Sequence, residues 1–560
     1  MPKPEAHAVS IPRWLAPVLL TLTGLFLLGL LSTELADTDA WWHLATGRYI
    51  VSAHRLPTPD PFAYTTAGAR AAYPSEDATR AFNLTHEWLT QCLMYLVAAG
   101  GGLGAVVFGR ALLLVAACGL TGFVAWRRTA SLSWAIAAAL AAGSLAVEFA
   151  HDRPSIVSFL FTALFIAICE ERRPLWTLPV LAVLWANCHG GFFLGWLVMG
   201  AYALEAAVRR MPQARRMGTA AALAVLASGA NPNGFGVVKT LLAYRNSPMT
   251  ATLIEWAHAS LWGSPYAFDL LLYGAALTLA LSWKKVRLSD WVLFAVFAAA
   301  ALTAFRNEML IGLLAPVLIA AYFPWKRALP AIALYGAAAA LAGGLIWGTT
   351  RGAFFQFRAA EWRFPAGAAD FLRERQIAGP IFNTYEYGGY LIWRGERVFI
   401  DGRALSEAVF QDYRVILGAP PGDPARDTLL ARYGVNAIVV NAFEYNSGVL
   451  YHLVLALAQP AEAEWKLAYD DAESLVFLRD PAGSLAALDK SLIFDHLENE
   501  CRLHMEREPE LSLCARTLGN LFLKGGDLPR ARRALGLYLE HPYPDDPDPR
   551  RVYNQLLQHP

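Results

Sequence analysis

The sequence predicts a polytopic α-helical membrane protein with a C-terminal α/β domain and a short helical tail. Three observations lead there. The 560-residue chain is 56% hydrophobic and only 17% charged, with a mean hydropathy of +0.34, which excludes an ordinary soluble globule. Eleven apolar runs approach the length needed to cross about 30 Å of hydrocarbon. They lie near residues 14–35, 103–126, 132–149, 154–170, 175–188, 190–208, 218–230, 265–283, 289–305, 308–324 and 329–348. After Thr350 the composition turns to that of a water-soluble domain. The chain thus divides into a membrane domain at 1–350 with a long first loop at 36–87, an α/β domain at 351–484 and a helical tail at 485–560.

The first run, from Trp14, is too long for a signal-peptide core and ends in Glu34-Leu35-Ala36-Asp37, a poor cleavage site, so it reads as an uncleaved span. The turns between alternate runs carry the basic residues: Arg127-Arg128, Arg172-Arg173, Arg209-Arg210 with Arg215-Arg216, Lys284-Lys285 with Arg287, and Lys326-Arg327. All fall on one side when the N-terminus, with Lys3 and Arg13, is cytoplasmic. The expected location is the inner (cytoplasmic) membrane, with the C-terminal domain periplasmic. A net charge of +1 supplies no bulk field for nucleic acid, which is excluded as a partner.

Beyond Thr350, "AADFLRERQ" reads as helix, "GPIFNT" as a short strand, and "RVFIDGR" as another strand following "YEYGGYLIW". Helices around "EAVFQDYRVIL" and "DTLLARYG", a strand "VNAIVVN", a helix "GVLYHLVLALAQ" and a hairpin "EWKLAYDDAESLVFLR" complete the α/β domain. In the tail, "LGNLFLKGGDLPRARRALGLYLEHPYP" carries the pattern of one tetratricopeptide-like helical hairpin, a surface that could hold a protein partner. Cys501 and Cys514 can pair there if the tail faces an oxidising compartment. The other four cysteines lie in or beside apolar segments without metal-ligand spacing.

With that orientation the unusual polar chemistry gathers on the outer face, where charges beside a membrane core are costly and usually serve a site. "DTDAWWHLATGRYI" places Asp37, Asp39 and His43 at the start of an interfacial helix predicted over 38–50, with Asp39 and His43 on one face. The plainer reading makes Asp37 a helix cap and puts Trp41 and Trp42 in the interfacial aromatic belt. His86 and Glu87 close the loop and could add a ligand or an acid/base group, or serve structure alone. "VEFAHDRPS" adds Glu148, Asp152 and Arg153, whose bland alternative is an Asp–Arg pair at two helix ends. His189 precedes two glycines at a tight turn, and Arg306 interrupts an apolar stretch where it either holds a phosphate or snorkels. Glu255-Trp256 sits in "LIEWAH", a second interfacial segment. Neither a Walker-type phosphate loop nor an H-E-x-x-H sequence occurs, which disfavours an ATP-driven pump and a zincin.

"DTDAWWHLATGRYIVSAHRLPTPDPFAY" resembles the first external loop of GT-C superfamily glycosyltransferases. It is most similar to the Asp-x-Tyr-Tyr-His-Leu…Pro…Asp-Pro-Tyr pattern of oligosaccharyltransferase catalytic subunits. Asp39 stands at the family's catalytic or metal-binding aspartate, Trp41-Trp42-His43-Leu44 at its aromatic-His-Leu positions and Asp60-Pro61-Phe62 at the far end. "NTYEYGGYLIWRGERVFIDGRA" looks like the Trp-Trp-Asp-Tyr-Gly segment, with Tyr385-Glu386-Tyr387-Gly388 at the Trp-Asp-Tyr-Gly positions. The family's Asp-x-x-Glu on the next outer loop is represented only by Glu148 and His151-Asp152-Arg153.

The resemblance implies a GT-C-like fold and transfer of a sugar or glycan from a polyprenyl-(di)phosphate donor, drawn from the membrane lipid, to a glycan, lipid or protein acceptor, with inversion. It implies Asp39 as central carboxylate, either general base or divalent-metal ligand, with Asp37 beside it and Asp152 as a further catalytic or metal-binding carboxylate for Mg2+ or Mn2+. Arg306 and Arg153 would meet the phosphate, and His43, His86, Glu87, Glu148 and His189 would line the pocket. Tyr385, Glu386, Asp401 and Arg403 would shape the acceptor side. The competing expectation is a non-catalytic scaffold or transporter for envelope glycan assembly. Transporters place charges at the midplane on broken helices, whereas these lie at one face.

Overall fold

The computed structural model describes residues 12–558 apart from 67–68, 173, 245–246, 248, 250–252, 263–265, 325–329, 378, 404, 446, 481–484 and 545. Lys3, Arg173, Lys326 and Arg327 of the basic pattern therefore lie outside the described residues. The chain forms two compact units. One comprises the described parts of Met1–Thr58 and Asp77–Ala359, the other those of Pro59–Glu76 and Ala360–Pro560. The middle of the first loop thus groups with the C-terminal residues.

The first unit is helical, and a helix covers each of the eleven apolar runs. Five segments are long and apolar enough to cross a membrane by length and composition: Glu76–Thr129, Leu132–Phe149, Gly190–Val208, Phe305–Tyr322 and Ala331–Thr350. Leu15–Leu31, Thr177–Cys188, Tyr266–Leu281 and Leu288–Thr303 are shorter apolar helices. The run expected at 103–126 is the second part of a longer helix, Trp88–Thr129, which bends where Gly102 takes φ +71°.

The predicted interfacial helix forms over Asp39–Ala53. Gly47 lets it lie directly on Trp88–Thr129, because a Cβ there would come within 2.0 Å of the Gln91 carbonyl oxygen. Trp41 and Trp42 are buried by this packing and do not form an exposed aromatic belt. Helix Ser155–Glu171 crosses the same core, with Phe161 stacked on Trp185 at 5.3 Å.

At one end of that helix, Glu170 accepts from Arg128 at 2.8 Å and from Arg287 at 2.9 and 3.1 Å. Asp290 accepts from Arg128 at 3.0 Å, from Arg287 at 3.1 Å and from the Tyr322 hydroxyl at 2.5 Å. Two cations and two anions balance there, and each buried charge keeps a partner.

In the second unit, β1 (Ile381–Asn383), β2 (Ala437–Val440), β3 (Trp465–Asp470) and β4 (Leu475–Arg479) form one sheet in the order β1-β2-β4-β3. β1 and β2 are parallel and the other pairs antiparallel. The predicted strand "RVFIDGR" is instead an extended segment with a single bridge, Val398 to Ala63. Side chains satisfy its backbone in place of a neighbouring strand. Asn383 accepts from Phe399 N–H at 2.9 Å and donates to Ile400 C=O at 2.8 Å, and Thr65 donates to Phe399 C=O at 2.6 Å.

Arg403 then clamps the first-loop segment. It reaches Asp60 at 2.7 and 3.2 Å and Asp401 at 2.7 Å, with Phe62 under its guanidinium at 5.2 Å. The tail continues as helices Leu492–Arg507, Leu513–Gly525, Leu528–Tyr538 and Asp548–Gln558. His496 is buried between Asp470 at 2.7 Å and Glu500 at 2.8 Å; burial opposes its charge, but the two carboxylates push it up to about 10. Cys501 and Cys514 form a disulfide with Cα atoms 5.7 Å apart, while the remaining four cysteines are free and buried.

Alkylation of the denatured, unreduced protein should label Cys92, Cys118, Cys169 and Cys188 and spare Cys501 and Cys514. Reduction first should expose all six, and intact mass spectrometry reads the difference. Labelling of all six without reductant would place the tail in a reducing compartment.

Candidate functional site

The start of helix Asp39–Ala53 builds the site. Asp37 accepts from the Asp39 backbone N–H at 3.0 Å, satisfying a donor that the first helical turn leaves open. The same carboxylate takes a two-point contact from Arg153, Nε to Oδ2 at 2.5 Å and Nη2 to Oδ1 at 3.0 Å. Arg153 also pairs with Asp39 through Nη1 at 3.1 Å, and with Glu255. One guanidinium therefore holds three carboxylates from two segments.

Those carboxylates are not electrically equivalent. Burial works against the Asp37 anion, yet the two-point contact with Arg153 outweighs it and holds Asp37 well below the usual carboxylate range. Asp39 has only one contact with the same cation. Burial, reinforced by the negative charges of Asp37 and Glu255, pushes it up to about 7. Two neighbouring carboxylates thus divide into a permanent anion and a group that exchanges a proton near neutrality.

A second cluster lies along the same helix. Glu87 lies 3.2 Å from His86 Nε2, 3.5 Å from His189 Nε2 and 3.6 Å from His43 Nδ1. His86 Nδ1 is bonded to the Phe82 carbonyl at 3.0 Å, so that nitrogen carries the proton. His189 Nδ1 accepts from Gly191 N–H at 3.1 Å and meets Ser158 Oγ at 2.6 Å. Its proton is therefore on Nε2, facing Glu87. Burial pushes His189 down to about 3 and His43 to about 4 despite the Glu87 anion, so both rings are neutral at physiological pH.

No family model and no curated protein match the chain. Among solved structures, it is similar to two crystal structures of ArnT from Cupriavidus metallidurans. The structure bound to undecaprenyl phosphate aligns with a TM-score of 0.47 at 13% identity, covering 84% of this chain and 99% of that one. The apo structure aligns with a TM-score of 0.48 at 14% identity, covering 85% and 99%.

The structure brings Asp37, Asp39 and Arg153 together, and separately His43, His86, Glu87 and His189. Arg306 joins the first group through Glu255, 3.6 Å away. Asp152 is differently engaged: it faces Arg110 at 2.6 Å, and Arg110 also donates to Thr33. That pair ties helix Trp88–Thr129 to the chain just before Asp37. Glu148 is exposed on the short turn Val147–Phe149, with no ion pair among the described residues. In the second unit, the Tyr385 N–H donates to the Tyr413 hydroxyl at 2.9 Å, and Glu386 accepts from Tyr451 at 2.8 Å. Asp401 and Arg403 are 4% and 5% exposed and spend their hydrogen bonds on each other and on Asp60, so they act as a clamp.

A divalent cation held by Asp39 and Asp152 does not fit these partners, since each carboxylate already faces a guanidinium. Among the described residues, His86, Glu87 and His189 form the one group of three whose ligand atoms lie within 4.8 Å of one another. His189 offers that point an N–H and not a lone pair, because Gly191 fixes its other nitrogen as acceptor. The donor set matches a hydrogen-bonded Glu–His pair.

Sequence reasoning missed Arg110 and the role of Glu255. An arginine inside the apolar run 103–126 was the available signal for the first, since a charge at that depth requires a partner. The interfacial segment around Glu255 gave no sign of its partner Arg153, more than 100 residues away.

Arg110→Ala should leave Asp152 buried and unpaired, costing about 3–5 kcal/mol. Thermal unfolding of the full chain in detergent would show a lowered midpoint, and Arg110→Ala with Asp152→Ala together should recover most of it.

Proposed function

We propose that the protein is a membrane glycosyltransferase of the GT-C type that transfers a sugar or glycan from a polyprenyl-phosphate or -diphosphate donor to an acceptor on the periplasmic face. The observation that carries this reading is Asp39, a buried carboxylate pushed up to about 7 beside an Asp37 kept anionic by the shared Arg153. A group transfer to an acceptor hydroxyl or amide needs a base that takes a proton as the new bond forms, and cations that stabilise the departing phosphate. Asp39 is suited to the first task. Arg153 and Arg306 are suited to the second, and Arg306 is the more available because it is 36% exposed and only loosely paired.

In this mechanism the acceptor O–H or N–H bond breaks toward Asp39 as the acceptor attacks the anomeric carbon from the face opposite the phosphate. The bond from the anomeric carbon to the phosphate oxygen breaks, its electron pair leaves with the lipid phosphate, and the configuration inverts. Asp37 acts as a positioning residue by fixing Arg153. His43, with Glu87 and Gln91 around it, holds the same helix face without taking charge. The first loop supports this reading through its similarity to GT-C enzymes, and the basic turns support an N-terminus in the cytoplasm of an inner-membrane protein. The helical tail offers a place for a protein partner.

Asp39→Asn should lower transfer by about 10²–10⁴-fold while the protein still accumulates in the membrane. The readout is mass spectrometry of surface glycans in a deletion strain complemented with each form. Full complementation by the Asn variant would end the enzymatic reading in favour of a scaffold. In a purified assay the wild-type rate should rise with pH toward a plateau above about 7, because protonated Asp39 cannot accept a proton. The residual rate of the Asn variant should lack that inflection.

A further inference from the structure

Glu255 is held by two arginines at once, and it is the one carboxylate around Arg153 that can leave. Its side chain is 42% exposed, against 3% for Asp37 and 13% for Asp39. A buried carboxylate that gave up Arg153 would remain in a low-dielectric site as an uncompensated charge, whereas Glu255 can turn to water at small cost. The guanidiniums cannot follow it. Arg153 is anchored by its two-point contact with Asp37, and Arg306 lies over the Trp256 ring at 5.0 Å. The backbone fixes the two segments side by side, with Phe305 N–H donating to Ala257 C=O at 2.9 Å.

The fit of Glu255 between these cations is incomplete. It contacts Arg153 closely but stands 3.6 Å from Arg306, longer than a charge-assisted hydrogen bond of about 2.7–2.9 Å. Among the described residues, that is the one ion pair Arg306 makes. Two fixed guanidinium forks separated by a carboxylate too small to fill both suit a larger anion with three oxygens. A phosphate monoester meets that description.

We propose that Glu255 is an internal counter-anion that occupies the position of a phosphate group between Arg153 and Arg306 and is displaced when the phosphate binds. The proposal rests on the glycosyltransferase reading above and extends it: the lipid phosphate binds by exchanging with a carboxylate of this chain. Before binding, Glu255 keeps the two cations neutralised and spaced. Afterwards it faces water, and the phosphate joins both forks.

The test uses the full-length protein in detergent, titrated by calorimetry with farnesyl phosphate and, separately, with inorganic phosphate. Glu255→Gln should bind farnesyl phosphate about 5–10-fold more tightly than wild type, because the competing charge is gone. Glu255→Ala should do the same and guards against a new hydrogen bond from the amide. Arg306→Ala should weaken binding about tenfold or more in either background. Inorganic phosphate should bind far more weakly than farnesyl phosphate; equal binding would overturn the lipid assignment. Unchanged or weaker binding in both Glu255 variants, with Arg306→Ala still weakening it, would overturn the counter-anion while leaving lipid-phosphate binding at Arg306 intact. Absence of binding by wild type and Glu255 variants alike would remove the glycosyltransferase reading and this inference with it.

Discussion

The first unit's polar architecture depends on one guanidinium that cannot be released. Arg153 sits just before helix Ser155–Glu171 and is shared by Asp37, Asp39 and Glu255. In water such contacts are worth little, because solvation competes with them. Beside an apolar core the balance changes: an unpaired charge there costs several kcal/mol, so each partner is held where the others need it. The arrangement also makes the carboxylates unequal. Asp37 receives two parallel hydrogen bonds and stays charged, while Asp39 receives one contact and two negative neighbours. A difference in contact geometry thus becomes a difference in proton affinity, and that difference is what catalysis would use.

Much of this was legible because hydrophobic periodicity is local. Each apolar run became a helix, and helix Asp39–Ala53 formed where its pattern indicated. The two hairpin strands and the short β1 also followed from local composition. What failed locally was decided by distant side chains. "RVFIDGR" has strand-like composition, but Asn383 and Thr65 take its backbone groups, so no second strand pairs along it. Asp401 and Arg403 carry no local sign of Asp60, more than 300 residues away, which meets Arg403 in the buried clamp. Glu255 is the same case. A carboxylate in a polar loop carries no sign of the two arginines that select it.

Charge balance separates scaffolding from function within one helix. Ser155–Glu171 spans 17 residues, about 25 Å at 1.5 Å per residue, close to one hydrocarbon thickness. At its C-terminal end, Glu170 and Asp290 meet Arg128 and Arg287 in a closed network, with Tyr202 and Tyr322 filling further positions. Both arginines pair with both carboxylates, and the obvious task is to bind helices together. At the other end the matching is uneven: three carboxylates crowd Arg153, one of them is pushed toward neutrality, and Arg306 is served by a single partner at 3.6 Å. A purely structural site has no reason to retain that imbalance, which lowers stability without adding a tie between helices.

The same imbalance bears on what cation chemistry this end can support. Where Asp39 and Asp152 would be expected to share a divalent ion, each has a guanidinium in contact instead. Arginine differs from a metal ion in a useful way. It cannot be lost to a competing chelator, and its planar fork matches the oxygens of a phosphate without demanding a fixed coordination number. It also leaves Asp39 with a single contact to its cation, whereas a chelated carboxylate would give its lone pairs to the ion. In the proposed reaction, fixed arginines would let one carboxylate cluster hold an anionic leaving group and still receive a proton, two tasks that compete when a metal occupies the carboxylates.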